Sequence, residues 1–223
     1  MTTERTALFV PCLTGAVFSA DIAAQRRLLA LAGFPEPEPL PAFCCGQPAA
    51  TAGDTEGGAA MARVWAERAA PFAAVFVGSA TCCGHLRGAV PAADVRYAPD
   101  AWVEAIRDRS TRPVERIYLH RPCHDVWDDA RFARYRAWVE ETAAVEVIDR
   151  PFADPCCGFG GVFSTVFDRT AAAMMAHRTG AIAAAGAKAI VSAEPGCLSH
   201  FAAHAGEIPV VPLATYLVSR GIG

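Results

Sequence analysis

The chain has 223 residues, of which 53% are hydrophobic and 19% charged, and its formal net charge is −3. This length allows one large domain or two small ones, each with its own core, and the charge balance gives no electrostatic support for nucleic-acid binding. The N-terminus lacks the basic start and apolar core of a signal peptide, and no apolar run is long enough to cross a bilayer. We therefore expect a cytoplasmic protein with no membrane span.

The predicted elements alternate between short buried strands and longer helices. In chain order they are a strand at 7–10, a helix at 20–32, a proline-rich extended connector at 34–41, a helix at 56–69, strands at 73–78 and 117–120, helices at 129–142 and 164–185, and a strand at 187–192. Alternating strands and helices predict an α/β fold with largely parallel sheets.

One cysteine pattern occurs twice along the chain. Its four matched pairs are Cys12 and Cys123, Cys44 and Cys156, Cys45 and Cys157, and Cys82 and Cys197, with offsets of 111, 112, 112 and 115 residues. A drift this small is what loop insertions produce. The pattern predicts a duplication, with two pseudo-symmetric repeats of a Rossmann-like parallel-sheet module at 1–112 and 113–223.

Four of the cysteines directly follow predicted strands: Cys12, Cys82, Cys123 and Cys197. In open α/β sheets, ligands bind in the loops beyond the carboxyl ends of the strands. The cysteines are therefore expected at the functional edge of each sheet.

The residue types at this edge favour a bound metal. Thiolates select zinc, Cu(I) or iron–sulfur clusters, and clustered cysteines without a secretion signal favour metal binding over disulfides. Adjacent cysteines suit a cluster, because two neighbouring thiolates can reach different irons. The candidate metal ligands are Cys12, Cys44, Cys45, Cys82, Cys83 and His85 in the first half, and Cys123, Cys156, Cys157 and Cys197 in the second.

Glycine follows each cysteine pair, at Gly46 and Gly158. Glycine allows a positive φ and close approach of the backbone to a bulky group, so both are candidate cofactor-binding residues. Zinc at one site, more readily the second with its four cysteines, stays open as an alternative, and so does a disulfide.

The remaining histidines near the cysteines are expected to have supporting roles. His120 and His124 flank Cys123, where packing or support of the cysteine is more common than ligation. His200 and His204 lie four residues apart after Cys197, where we expect a surface or helix-capping role.

Each half resembles the Cys-Cys-Gly (CCG) domain, with spacings Cys12-x31-Cys44-Cys45-Gly46-x35-Cys82 and Cys123-x32-Cys156-Cys157-Gly158-x38-Cys197. With CCGQP in the first half and CCGFGG in the second, the whole chain is most similar to the lactate utilization protein A family. That resemblance implies [4Fe–4S]-type clusters, which are non-cubane and held by five cysteines in the related heterodisulfide reductase. It also implies oxidation of L-lactate to pyruvate together with two partner proteins. The implied ligands are Cys12, Cys44, Cys45 and Cys82 for one cluster, and Cys123, Cys156, Cys157 and Cys197 for the other.

The chain departs from the family pattern where each motif closes. His85 stands where the last cysteine of the first motif would fall, and Pro195 takes the place of a cysteine in the second. We therefore keep three alternatives: a heterodisulfide-reductase-like protein, an iron–sulfur subunit of glycolate oxidase, and a zinc-stabilised scaffold without catalytic activity. No catalytic residue can be recognised.

Overall fold

The computed structural model describes residues 5–34, 37–123, 129–152 and 156–223. The chain divides into two compact units, the first ending at Ile106 and the second beginning at Arg107. Each unit contains one four-stranded parallel sheet.

The first unit alternates strands and helices around its sheet. The strands are β1 (Thr6–Pro11), β2 (Glu38–Phe43), β3 (Ala74–Val77) and β4 (Val95–Tyr97), in the order β2-β1-β3-β4. The helices are α1 (Cys12–Val17), α2 (Ala20–Leu31), α3 (Gln47–Thr51), α4 (Thr55–Ala69), α5 (Ala80–Ala89) and α6 (Ala98–Ala105). Phe9 of β1 packs edge-on against Trp65 of α4, with ring centroids 5.9 Å apart, and both side chains are fully buried.

The second unit repeats this arrangement. Its strands are β5 (Glu115–Leu119), β6 (Val145–Val147), β7 (Ile190–Ser192) and β8 (Val210–Pro212), in the order β6-β5-β7-β8. Its helices are α7 (Asp129–Ala143), α8 (Phe163–Val166), α9 (Asp168–Ala184), α10 (Pro195–Ala202) and α11 (Leu213–Ser219). The strand order matches that of the first unit strand for strand, which confirms the predicted pair of pseudo-symmetric parallel-sheet modules.

The core of the second unit reaches its cysteines. Tyr118, Met175 and Phe201 belong to one buried cluster that also contains Cys157 and Cys197. Two thiols of the predicted site are thus packed by apolar side chains on the sheet.

The proline-rich segment is partly a strand, which corrects the prediction of an extended connector at 34–41. Pro39 and Pro41 lie in β2, which pairs with β1 and stands at the edge of the sheet. Proline is tolerated there because an edge strand has one side on which no ladder hydrogen bond is needed.

The predicted helix at 164–185 is two helices. Phe167, with φ −116° and ψ 47°, separates α8 from α9. Asp168 begins α9 and its carboxylate accepts a hydrogen bond from the backbone N–H of Arg169 at 2.7 Å. An acidic residue at this position stabilises a helix N-terminus. Asp168 therefore favours the start of a second helix over continuation of α8.

Candidate metal centres

The first candidate centre lies at the carboxyl edge of the first sheet. Cys12 is the first residue of α1 after β1, Cys44 and Cys45 follow β2, and Cys82 lies in the first turn of α5 after β3. Because β1 is flanked by β2 and β3, these three segments are neighbours at one edge. The structure thus brings four of the predicted thiols, distant in sequence, to one place.

The thiols of this centre form two close contacts. The Sγ atoms of Cys45 and Cys82 are 3.3 Å apart. Cys12 lies close to Cys44, and its pKa is raised, first by burial and then by the neighbouring Cys44. Burial and the neighbouring thiol thus favour the neutral form of Cys12, whereas a bound cation would favour the thiolate that ligates it.

Local hydrogen bonds fix the backbone around these cysteines. The hydroxyl of Ser79 accepts a hydrogen bond from the backbone N–H of Cys82 at 3.1 Å and caps α5. The N–H of Gly46 donates to Cys44 Sγ at 3.4 Å. Gly46 has φ +98°, and a Cβ there would stand 2.3 Å from the carbonyl oxygen of Gly58. Only glycine fits this position, which keeps a donor directed at a candidate ligand.

Cys83 and His85 were also predicted to bind metal in the first half. Cys83 is fully buried among core residues, and the matching residue in the second half is the buried Leu198, so its place indicates packing. His85 hydrogen-bonds to the backbone carbonyl of Cys45, and burial lowers its pKa. Its Nε2 atom is buried and has no hydrogen-bond partner among the described residues.

The second candidate centre repeats the first. Cys123 lies beyond β5, Cys156 and Cys157 precede α8, and Cys197 is the third residue of α10. The Sγ atoms of Cys157 and Cys197 are 3.1 Å apart, and the N–H of Gly158, with φ +78°, donates to Cys156 Sγ at 3.4 Å.

The thiols of the second centre are electrostatically coupled. The pKa of Cys123 is raised to about 11, first by burial and then by Cys156. The pKa of Cys157 is lowered, chiefly by a hydrogen bond from Cys197, whose own pKa is raised well above its usual value by the same contact. Of these two thiols, Cys157 is therefore the one that loses its proton more readily.

Pro195, which stands in place of a cysteine, has a structural role. It is the first residue of α10. Proline is favoured there because its φ suits a helix and its missing N–H has no intrahelical partner at that position. It starts the helix that carries Cys197.

Two histidines, His120 and His200, lie beside Cys157. The sequence predicted only a supporting role for the first and a surface or capping role for the second. The prediction of a surface or capping role for His200 is wrong: the residue is 7% exposed, and its Nδ1 lies 3.1 Å from the carbonyl oxygen of Cys157. His120, 3% exposed, presents a ring nitrogen within 4.8 Å of the Sγ atoms of both Cys157 and Cys197. His204 hydrogen-bonds through Nδ1 to the carbonyl of His200 at 2.9 Å, which confirms capping. His124 lies outside the described residues.

A sequence signal for one of these histidines was present. His85 and His200 each follow the last matched cysteine of their half by three residues, and each contacts the carbonyl of the second cysteine of the adjacent pair. Comparison of the two halves would therefore have revealed a Cys-x2-His motif in each.

The donors at both centres fit an iron–sulfur cluster. They comprise four thiols each, glycine loops with N–H groups directed at sulfur, and a buried imidazole nitrogen that lacks a partner among the described residues. Cys44 and Cys156 are half-buried, and Cys12 and Cys123 are exposed, so each centre opens toward solvent.

The model of the cysteine-rich domain family CCG matches residues 6–87 and 117–202, each match spanning one matched set of four cysteines. The chain belongs to the CCG cysteine-rich domain family. The predicted resemblance is therefore confirmed at the level of the two repeats.

Curated relatives extend the comparison. Lactate utilization protein A 1 and Lactate utilization protein A 2, both of Bacillus anthracis, are each 22% identical over 212 residues, which cover 87% of this chain and 88% of the relative. Lactate utilization protein A 2 of Bacillus cereus has the same identity and coverage. A crystal structure from Yersinia pestis, assigned as an Asp/Glu racemase, is 11% identical with a TM-score of 0.37 over 97% of this chain and 96% of that one, a similarity too weak to carry an argument.

Among the described residues, no helix combines the length and apolar character that crossing a bilayer requires.

Proposed function

We propose that the chain is an iron–sulfur electron-transfer subunit of a cytoplasmic complex that oxidises L-lactate to pyruvate. The observation that carries the proposal is the convergence, once in each unit, of thiols from three separate segments at the carboxyl edge of a parallel sheet. The names of the curated relatives support lactate as the substrate.

Each centre would be held by one matched set of cysteines. Cys12, Cys44, Cys45 and Cys82 would hold the first cluster, and Cys123, Cys156, Cys157 and Cys197 the second, each of [4Fe–4S] type. When bound, such clusters accept and release single electrons. Two centres in one chain suit a reaction that releases two electrons, as the conversion of lactate to pyruvate does.

The chain's own residues would tune and protect these centres. The N–H groups of Gly46 and Gly158 donate to cysteine sulfur and would stabilise the added negative charge of a reduced centre. Apolar packing around Cys157 and Cys197 would limit access of water on the protein side. The similarity to the lactate utilization proteins supports a complex of several proteins, and we expect two partner proteins in it.

The chemistry of the ligands supports a cytoplasmic location. Cysteines must remain reduced to bind iron, and reduced thiols persist in the cytoplasm rather than in secretory compartments.

The test uses the tagged full-length chain purified with its partners without oxygen. L-lactate is added, and reduction of the clusters is followed by EPR spectroscopy. We expect L-lactate to produce the reduced signals. Reduction by glycolate but not L-lactate would favour the glycolate oxidase alternative, and reduction by neither would contradict the proposed substrate.

One observation favours zinc as the second candidate. His120, Cys157 and Cys197 present ligand atoms within 4.8 Å of one another, close enough to share one ion, and zinc accepts mixed nitrogen and sulfur ligands. A zinc-stabilised second unit would act as a scaffold for partners. Metal analysis separates the two candidates, because only the cluster contains acid-labile sulfide.

A further inference from the structure

We propose that His120 is a nitrogen ligand of the second centre, through Nε2, at a position that is phenylalanine in the first unit. This inference rests on the proposed binding of a metal group at the second centre. It concerns a residue whose position near Cys123 in the sequence first indicated only packing or support.

The burial of the His120 ring is the first observation. The side chain is 3% exposed, and its Nε2 atom has no partner at hydrogen-bond distance among the described residues, although the ring interacts electrostatically with the thiol of Cys157. A buried polar atom left without a partner is costly, so such an atom beside a group of thiols indicates a missing partner. His120 also lies with Cys157 and Cys197 in the one group of three or more potential metal ligands found among the described residues.

The other ring nitrogen is held in the way that metal-binding histidines require. Nδ1 of His120 lies 3.3 Å from the hydroxyl of Tyr118. If Nδ1 carries the proton and donates to this oxygen, Nε2 is left with the lone pair that binds a metal. The ring of Phe201 packs edge-on at a centroid distance of 5.0 Å and restrains the imidazole plane.

Comparison of the two repeats supports a specific role. Counting back from Cys12 and Cys123, the residue that matches His120 is Phe9, which is fully buried and packs against Phe43 and Trp65. The scaffold therefore accepts an apolar ring at this position, and packing alone does not require histidine. A polar ring in the second unit alone fits a function that only the second centre has.

The histidine ligand has a consequence for electron transfer. His120 joins the four thiols as a neutral ligand, so it adds no negative charge to the centre, and histidine ligation gives iron–sulfur centres a higher reduction potential than cysteine ligation does. We therefore expect the second centre to have a higher potential than the same centre with cysteine at position 120.

The experiment uses full-length protein, reconstituted without oxygen, in which all histidines carry ¹⁵N. Variants in which Cys44 and Cys45 are serine isolate the second centre. Pulsed EPR of the reduced centre is expected to show the strong hyperfine coupling of a directly bound histidine nitrogen. The coupling should disappear in His120→Phe, which copies the first unit, and persist in the matched control His204→Phe. His120→Cys should retain the cluster at a lower potential.

The outcomes are distinguishable from those that test the function. An iron-loaded second centre without strong nitrogen coupling, or with coupling unchanged in His120→Phe, overturns the ligand assignment and leaves the proposed function standing. Protein that takes up no iron or sulfide contradicts the proposed function. In that case the same variants are titrated with Co²⁺. A loss of affinity of about tenfold or more in His120→Phe alone supports a nitrogen ligand, and equal affinities overturn it.

Discussion

The two units share a strand order, a cysteine pattern and a glycine after each cysteine pair. They differ in the buried aromatic side chain near the end of the first strand of each unit. In the first unit the position that faces the core is Phe9, packed between aromatic rings. In the second it is His120, which meets Tyr118 on one side and the thiols of Cys157 and Cys197 on the other. The comparison indicates that the two units keep the same thiol set while buried positions beside it differ, which would let two centres in one chain differ in potential.

The largest effect should come from removing one cysteine pair at a time. Replacing Cys44 and Cys45 by serine should abolish the first centre, and replacing Cys156 and Cys157 should abolish the second. Iron and sulfide per chain should fall by about half in either case, because each centre binds independently within its own unit. The measurement is metal and sulfide analysis of anaerobically reconstituted protein.

Cys83→Ala is the matched control for this experiment. Cys83 adjoins the ligand Cys82 but is buried in the core opposite a matched leucine, so iron content should not change. A loss of the first cluster in Cys83→Ala would show that the two units use different numbers of thiolates.

Replacing Gly46 or Gly158 by alanine should lower the free energy of unfolding by different amounts in the two units. Gly46→Ala forces φ +98° on alanine and places its Cβ against the carbonyl of Gly58, so we expect a loss of about 3 kcal/mol. Gly158→Ala meets no atom closer than 3.4 Å and should cost only about 1 kcal/mol, from its φ of +78°. Urea unfolding of the metal-free protein measures both. Equal losses would contradict the close backbone approach at Gly46.

Two arginines that pair with glutamate, one in each unit, should also differ in their contributions to stability. Arg220, 7% exposed, donates to the carbonyls of Ala143 and Pro113 at 2.8 and 2.7 Å and lies 3.4 Å from Glu115. Arg220→Met should destabilise the second unit by about 2–4 kcal/mol, because it leaves these acceptors without a donor. Arg5→Met removes the exposed pair with Glu38 and the contact of the guanidinium with the ring of Phe72, and it should have a much smaller effect on thermal unfolding. A similar shift for both variants would refute the stabilising role of the buried arginine.

The smallest expected effect is on the stability of the metal-free protein when each of the two matched rings is replaced by the other, in His120→Phe and Phe9→His. His120→Phe should change the free energy of unfolding by less than about 1 kcal/mol, because its Nε2 atom has no partner at hydrogen-bond distance among the described residues and its Nδ1 atom makes one long contact with Tyr118. Phe9→His should cost about 2 kcal/mol, because it buries a polar ring among apolar ones. A large loss in metal-free His120→Phe would indicate a structural role for the histidine instead.

Much of the fold followed from the spacing of the cysteines and the apolar runs. The strands β1, β3, β5 and β7 lie within apolar runs that were recognisable, although β7 itself has only three residues. The strands β4, β6 and β8 also have three residues each, and no predicted strand covered them. The segment of β2 was obscured by Pro39 and Pro41, because proline in a strand is acceptable only at an edge, and edges are not visible in a sequence.

The candidate centres were only partly predictable, for a related reason. The positions of the cysteines after the strands predicted that they gather at the functional edge of each sheet. The specific contacts of Cys45 with Cys82 and of Cys157 with Cys197 are visible only in the structure. The proposed role of His120 depends on which way its buried ring points and on its contact with the hydroxyl of Tyr118. Neither can be predicted from the spacing of residues in the sequence. For His200, the Cys-x2-His spacing held the information, and comparison of the repeats was needed to find it.

The most direct test of this account is the iron and acid-labile sulfide content of the full-length chain purified without oxygen. Two [4Fe–4S] centres predict about eight iron atoms and about eight sulfides per chain, with broad absorption in the visible range. Protein that contains zinc or no metal, and no sulfide, under these conditions would contradict the claim that the converging thiols hold iron–sulfur clusters.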